Sequence, residues 1–282
     1  ERKTHIQVID PQHKFSFFKF NSGYHFEYPD AVRGIYLTGN TAGGSRFQSM
    51  VDLVDSTNLN AMVIDIKEDM GFLTFKPEEG CSFVEIGLNL IQDPEQMMRT
   101  LEEKQIYPIA RIVVFKDTQL ATARPDLTFV RENGEVWLNN RKEAFVNPFL
   151  KEVWDYNIEI AKMAAELGFK EIQFDYVRFP EGFENIDDQL QYSLGDYANS
   201  GLDNIKMRVE AVTDFVKYAR EELAYYDVDV SVDIFGYAAT IPETPGIGQN
   251  FSKIAENVDV ISSMIYPSHW SNNYFGIEVP DK

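Results

Sequence analysis

The sequence predicts an α/β fold in which parallel strands are joined by crossover helices, as in (β/α) barrels and open α/β sheets. Six short apolar runs, rich in β-branched residues, alternate with longer segments whose apolar residues recur every three to four positions. This alternation is typical of a parallel sheet covered by helices. The chain has 282 residues, 44% of them apolar, which is enough to form one large hydrophobic core or two modest ones.

The predicted strands are six runs at residues 33–39, 61–69, 106–115, 171–176, 228–236 and 258–267. The clearest predicted helix has Asn147 as its N-cap and Pro148 in its first turn, and it ends at Gly168. Further helices are predicted over residues 203–225 and 248–256.

Three segments depart from this alternation. Residues 70–90 and 124–140 are predicted insertions, and Asn133 and Gly134 in the second are a hairpin-turn signal. Residues 181–203 follow the fourth strand and are long for a strand-to-helix loop. We therefore expect this loop to form one wall of a cleft at the strand ends.

Charge and cysteine content limit the classes of partner. The chain has 45 acidic and 26 basic side chains, a formal net charge of −19, which repels nucleic acid and anionic lipid surfaces. An uncharged polysaccharide is compatible with that charge. No apolar run approaches the roughly 20 residues of a membrane helix, so we expect no membrane-spanning segment. Cys81 is the single cysteine, so no disulfide can form within the chain.

The N-terminal segment fits no strand-helix unit. We predict that residues 1–30 form an arm packing on a domain that spans residues 31–282. The first residues lack the apolar core of a secretory signal, and the chain starts at Glu1 and not at Met, so we expect that it has been processed or trimmed.

The alternation of side chains along the predicted strands places carboxylates on one face. Residues two apart in a strand share a face, and three strands each combine a continuous apolar face with a polar one. The polar faces carry Asp65, Lys67 and Asp69 in the second strand, Gln173 and Asp175 in the fourth, and Asp229, Ser231 and Asp233 in the fifth.

Carboxylates that face a barrel interior near the C-terminal strand ends are where barrel enzymes place their chemistry. Asp175 and Asp233 are therefore the candidate catalytic residues. An Asp at a strand end can also cap the next loop, and Arg111 can equally be a structural partner of a buried Asp65. The candidate substrate-binding residues are Tyr36, Asp65, Lys67, Arg111, Tyr176, Arg178, Tyr266, His269 and Trp270.

Several other chemistries lack their sequence signals. Three of the four histidines lie in the N-terminal arm, and the chain has no HExxH, GxSxG or GxxxxGK motif. We predict no cofactor and no metal. A metal-assisted hydrolase that uses Asp65, Asp175, Asp233 and His269 ranks as the third alternative, with oxygen ligands that favour magnesium, calcium or manganese.

The chain also resembles a bacterial family of glycosyl hydrolase domains with a TIM-barrel fold. The resemblance covers nearly everything from residue 32 onward and rests on the stretches GIYLTG, LNAMVIDIKED, IARIVVFKD, NPFLKEVWDYNIEIAKMAAELGFKEIQFDYVRFP, VSVDIFGY, IGQNFSKIAENVDVISSMIYPSHW and YFGIEVPDK. By position it implies Asp175 as the nucleophile and Asp233 as the acid/base. Members of the family continue for two further strand-helix units, so we expect this barrel to be incomplete at the C-terminus, with an exposed sheet edge.

The function that the resemblance implies, and that these carboxylates fit, is glycoside hydrolysis of a polysaccharide or cell-wall glycan, in the cell envelope or outside the cell. Two carboxylates in different environments can divide the work of acid and nucleophile, and their positions on consecutive strands favour the short separation of a retaining mechanism. The alternative is a noncatalytic carbohydrate-binding barrel, which needs only a stacking surface of aromatic side chains.

Overall fold

The computed structural model describes residues 19–241, 244–267, 272 and 276–279. Six parallel strands form one curled sheet in chain order, which confirms the predicted class and topology. They are β1 (Gly34–Leu37), β2 (Ala61–Lys67), β3 (Tyr107–Val113), β4 (Glu171–Asp175), β5 (Asp229–Phe235) and β6 (Val260–Met264). Within the described residues β1 pairs with β2 alone and β6 with β5 alone, so the sheet is a half-barrel with two open edges.

Seven helices lie among the described residues, and the longer ones cover the convex face of the sheet. They are α1 (Gly39–Ala42), α2 (Phe47–Asp55), α3 (Pro94–Glu103), α4 (Thr118–Ala123), α5 (Lys151–Leu167), α6 (Asn204–Leu223) and α7 (Phe251–Ala255). None of the described helices is both long enough and apolar enough to cross a lipid bilayer.

Helix α5 ends where the sequence predicts and begins later. Gly168 has φ 109°, a left-handed conformation that glycine adopts without steric cost. Asn147 is not the cap, because its side chain accepts from the Phe149 amide at 3.1 Å and donates to the Ser193 carbonyl at 2.7 Å. These bonds hold a turn ahead of the helix, which starts at Lys151.

The hydrophobic core lies between the sheet and the helices. Ile64, Ile172 and Val232 are fully buried on the convex face, as the alternation along the strands predicts. Phe174 packs edge-on against Phe215 of α6, with ring centroids 5.5 Å apart. The polar residues that alternate with them face the concave side, so the packing of the helices aims the candidate site residues away from the core.

The predicted hairpin at Asn133 and Gly134 is confirmed. Val130 and Val136 form an antiparallel bridge, and Gly134 has φ 82°. At the opposite end of the sheet, the Phe20 amide donates to the Tyr225 carbonyl, and Tyr28 packs edge-on against Tyr107. The described part of the N-terminal segment thus contacts the N-terminal ends of the strands and leaves their C-terminal ends free.

Candidate functional site

The C-terminal halves of the strands bring the predicted polar side chains together on the concave face of the sheet. Asp65 of β2, Arg111 of β3 and Gln173 of β4 are neighbours in one row of the sheet, and Gln173 pairs with Ser231 of β5. Asp175 and Asp233 lie two residues further along β4 and β5, so they form the next row towards the rim. This common face is what the sequence predicts.

Arg111 lies at the centre of the cluster. Its Nη1 donates to Asp65 Oδ1 at 2.7 Å and its Nη2 to Asp69 Oδ1 at 2.9 Å. Asp175 Oδ2 accepts from Nε at 2.9 Å and from Nη2 at 2.6 Å. Burial opposes the charge of Arg111, but the three carboxylates outweigh it and raise the pKa of the guanidinium.

The backbone after Asp175 turns sharply. Tyr176 has φ 53°, a left-handed conformation that is uncommon outside glycine and clusters at functional sites. This turn aims the Tyr176 amide back at Asp175 Oδ1, at 2.6 Å. Asp175 therefore accepts three hydrogen bonds, two from a charged group, and such contacts fix its orientation and suit an ionised carboxylate.

Asp233 has a different environment on the neighbouring strand. It is 9% exposed, and Ser262 of β6 is its partner in the sheet. Burial, followed by the negative charge of Asp175, raises the pKa of Asp233 to about 7. One strand end thus carries a carboxylate held by positive charge, and the next carries a carboxyl that keeps its proton up to neutral pH.

Asp65 and Tyr36 complete the β1 and β2 side of the cluster. The Tyr36 hydroxyl donates to Asp65 Oδ2 at 2.5 Å, and Arg111 binds the other oxygen. Burial raises the pKa of Asp65. Burial and the hydrogen bond to Asp65 together raise the pKa of Tyr36. Arg111 is therefore both a structural partner of Asp65, as the sequence allowed, and a direct partner of Asp175.

Lys67 does not reach the site, which corrects its prediction as a substrate-binding residue. The register of β2 against β3 shifts after Asp65, so that Asp65 pairs with Arg111 but Lys67 pairs with Ile112. This irregularity places the Lys67 side chain among the helices. There it is fully buried, 2.6 Å from Asp117 Oδ2 and 2.9 Å from Asn157 Oδ1.

Two residues that sequence reasoning did not select extend the cluster. Asp69 bridges Arg111 and Lys116, whose Nζ lies 2.8 Å from Asp69 Oδ2. Burial alone would raise the pKa of Asp69, but the Lys116 hydrogen bond and the charge of Arg111 lower it. Lys116 also lies 4.2 Å from the centroid of the Tyr176 ring. The lysine belongs to the segment that leaves β3, so no strand alternation marks it in the sequence.

Arg178 and Tyr176 lie together beside the carboxylates. The Arg178 guanidinium carbon is 4.7 Å from the centroid of the Tyr176 ring and 4.8 Å from that of Phe235, and its Nη2 pairs with Glu181 at 3.2 Å. Burial lowers the pKa of Arg178. Tyr266 lies beyond β6 and is half-exposed. His269 and Trp270 lie outside the described residues.

Gln249 connects the two strand ends that carry the candidate catalytic residues. Its Nε2 donates to the Val177 carbonyl at 3.2 Å and faces the Asp233 carbonyl at 3.5 Å, while its Oε1 accepts from the Phe235 amide at 3.0 Å. The side chain is 1% exposed. Its bonds to Val177 and Phe235 fix the spacing of the backbone segments that follow Asp175 and Asp233.

No group of three His, Cys, Asp or Glu side chains in the described part of the chain is arranged to hold a metal ion. The physical reason is visible at Arg111, whose guanidinium occupies the space between Asp65, Asp69 and Asp175. The cluster already contains its cation.

Comparison with known proteins assigns the chain to a family. A family model described as "Putative glycosyl hydrolase domain" matches residues 34–282. The chain belongs to this family. A crystal structure of a hypothetical protein from Ruminiclostridium thermocellum is 34% identical, with a TM-score of 0.59 over 71% of this chain and 96% of that one.

More distant structures show the fold. The glycoside hydrolase domain of PgaB (BpsB) from Bordetella bronchiseptica has a TM-score of 0.60 at 14% identity, over 83% of this chain and 74% of that one. A family GH13_31 enzyme has a TM-score of 0.51 at 13% identity, over 86% and 53%. A search of curated protein sequences found no match.

Proposed function

We propose that the protein is a glycoside hydrolase that cleaves a polysaccharide or cell-wall glycan in the cell envelope or outside the cell, with Asp233 as acid/base and Asp175 as nucleophile. The observation that carries the proposal is the contrast between two carboxyl groups on adjacent strands. Asp175 accepts from Arg111 and from the Tyr176 amide. Asp233 is buried, with its pKa raised to about 7.

The reaction follows from these two states. Asp233 donates its proton to the glycosidic oxygen while the bond from that oxygen to the anomeric carbon breaks, so the leaving sugar departs as an alcohol. Asp175 attacks the anomeric carbon through its carboxylate. Asp233, now ionised, then takes a proton from water, whose oxygen displaces Asp175 and restores both groups. Family membership supports the reaction class.

Arg111 and Tyr176 position the nucleophile. Asp175 Oδ2 receives two bonds from Arg111, whereas Oδ1 receives the one bond from the Tyr176 amide. A carboxylate oxygen has two lone pairs, so Oδ1 keeps one for attack. The neutral partner on Oδ1 withdraws less charge from it than the guanidinium withdraws from Oδ2.

The test is to substitute Asp175→Asn and Asp233→Asn separately and to assay each protein on a panel of bacterial exopolysaccharides and cell-wall glycans. We expect each substitution to lower turnover about 10³-fold or more while glycan affinity changes by less than about threefold, because Asn keeps the shape and loses the chemistry. The first-formed anomer, observed by NMR, is expected to retain its configuration.

Gln48→Ala on the exposed face of α2 is a matched surface control and should leave turnover unchanged. Full activity of the Asp175→Asn protein would remove the nucleophile assignment. Glycan binding by the native protein without turnover would favour the noncatalytic carbohydrate-binding barrel.

A further inference from the structure

A cavity of about 420 Å³ opens next to the proposed catalytic residues. This volume is within the range of about 300–1,000 Å³ that is usual for small-molecule sites. Its walls come from the hairpin insertion, from the turn after β4 and from the start of the 181–203 loop. The lining residues that matter here are Arg131, Trp137, Arg141, Glu143, Tyr176 and Arg178.

The cavity adjoins the site at Tyr176, and Lys116 contacts residues on both sides. Tyr176 follows Asp175 directly and lines the cavity. Lys116 lies over the Tyr176 ring and binds Asp69 on the site side and Glu143 on the cavity side, at 2.8 and 3.2 Å. A sugar chain held at Asp175 therefore has the cavity beside it.

The uncompensated charges of the cavity are positive. Glu143 pairs with Lys116, which also binds Asp69, and it receives a second bond from Asn139. The charge of Arg141 also acts on Glu143, yet three arginines and only two glutamates line the cavity. Glu181, which also lines the cavity, pairs with Arg178 at 3.2 Å. Arg131 and Arg141 are exposed, and within the described residues neither has a carboxylate at ion-pair distance. Two guanidinium groups are thus available to a ligand.

We propose that this cavity is a subsite for a sugar unit bearing an anionic substituent, a carboxylate or a phosphate, bound by Arg131 and Arg141. The inference rests on the proposed function, because it assigns a substrate class to the same site. Guanidinium groups bind both anions in a bidentate manner, and Trp137 on the cavity wall offers an apolar surface to a sugar ring.

The net charge of −19 opposes anions at long range and is compatible with an uncharged polysaccharide. Over distances beyond about 8 Å, however, physiological salt screens that repulsion. A direct contact with two arginines is screened much less. The local charge of the cavity therefore determines which sugar binds there, and the net charge limits the rate at which a polyanion approaches.

The experiment is an NMR titration of the full chain with three probes: glucose, glucuronate and glucose 6-phosphate. We expect at least one charged probe to bind roughly fivefold or more tightly than glucose, as expected for contacts to exposed arginines. A preference for glucuronate alone identifies the carboxylate as the ligand group, and a preference for glucose 6-phosphate alone identifies the phosphate.

The variant Arg131→Gln/Arg141→Gln should reduce the affinity of the preferred probe to that of glucose. The variant Arg99→Gln/Arg220→Gln removes the same charge from two exposed helical arginines, 45% and 47% exposed in their side chains, and should keep the preference. Equal affinity of all three probes, no binding of any, or an unchanged preference in the cavity variant would overturn the proposal. The titration needs no turnover. If the protein bound glucuronate more tightly than glucose but cleaved no glycan, the proposed hydrolysis would be wrong and the proposed subsite would stand.

Discussion

Two charged clusters begin on the same strand and are built in opposite ways. Asp65 of β2 faces the concave side, where Arg111 holds three carboxylates and keeps 11% of its side chain exposed. Lys67, two residues later, faces the helices and pairs with Asp117, and both side chains are fully buried. The first cluster, here called the open cluster, has more carboxylates than cations and lies at the rim beside solvent. The second, the closed cluster, pairs one cation with one carboxylate out of contact with solvent.

The comparison shows how the same residue types take on different roles. In the closed cluster burial lowers the pKa of Lys67 and raises that of Asp117, so each charge depends on its partner. In the open cluster burial, followed by the negative charge of Asp175, raises the pKa of Asp233 to about 7. Balance and closure suit structure, whereas an unequal distribution of charge beside solvent suits proton transfer.

The largest expected effect is on stability, at the closed cluster. Lys67→Met leaves Asp117 buried without its cation, and we expect a loss of about 3–5 kcal/mol in the free energy of unfolding, measured by urea denaturation at pH 7. The double variant Lys67→Met/Asp117→Leu should recover most of the loss. Turnover per folded molecule should not change. A loss below about 1 kcal/mol would show that the closed cluster is not a structural element.

At the open cluster the next largest effect on stability has the opposite sign, because the substitution is expected to stabilise the protein. Asp233 has its pKa raised from 3.8 to about 7 by folding, so between those values the unfolded chain releases a proton that the native protein keeps. Native stability therefore falls as pH rises through this window and stays reduced above it. Asp233→Asn removes this cost, and we expect it to stabilise the protein by about 4 kcal/mol at pH 8 and by nearly nothing at pH 3.

Denaturation of the native protein and Asp233→Asn at both pH values measures the effect. If Asp233→Asn destabilised the protein at pH 8, ionisation of the buried Asp233 carboxyl would not lower the free energy of unfolding. That result would also remove the physical basis for Asp233 as the acid.

A smaller effect is expected at Gln249, between the two strand ends. Gln249→Ala removes the bonds to Val177 and Phe235, so the segments after Asp175 and Asp233 can move apart. We expect about a tenfold lower kcat with little change in KM, since positioning losses of this kind act on the transition state. Weaker repulsion from Asp175 should also move the basic limb of the pH profile to lower pH. An unchanged pH profile would make Gln249 a packing residue only.

Strand alternation predicted much of the site and failed where regular strand geometry ends. Asp65, Arg111, Asp175 and Asp233 share the concave face because regular pairing preserves the two-residue period. The period fails at Lys67, where the register between β2 and β3 shifts. A register irregularity depends on contacts with the neighbouring strand, which a single run of residues does not encode.

The remaining site residues depend on long-range packing. Lys116 and Gln249 reach the cluster from segments beyond the strand ends, 47 and 16 residues along the chain from Asp69 and Asp233. Some of the cavity residues come from the hairpin insertion, whose turn was predictable from its Asn-Gly pair. The packing of that hairpin against the segment after β4, where Val130 bridges Gln191, was not predictable from local sequence.

Asp233 and Asp175 differ most in their charge environment, because Asp233 has a raised pKa and Asp175 is bound by Arg111. The direct measurement is a carbon-13 NMR titration of the Asp233 carboxyl in the native protein and in Asp175→Asn. We expect titration near pH 7 in the native protein, and a lower value, still above 3.8, in the variant, because burial remains when the Asp175 charge is removed. An Asp233 carboxyl that titrates near pH 4 in the native protein would show that burial and the Asp175 charge do not raise its pKa.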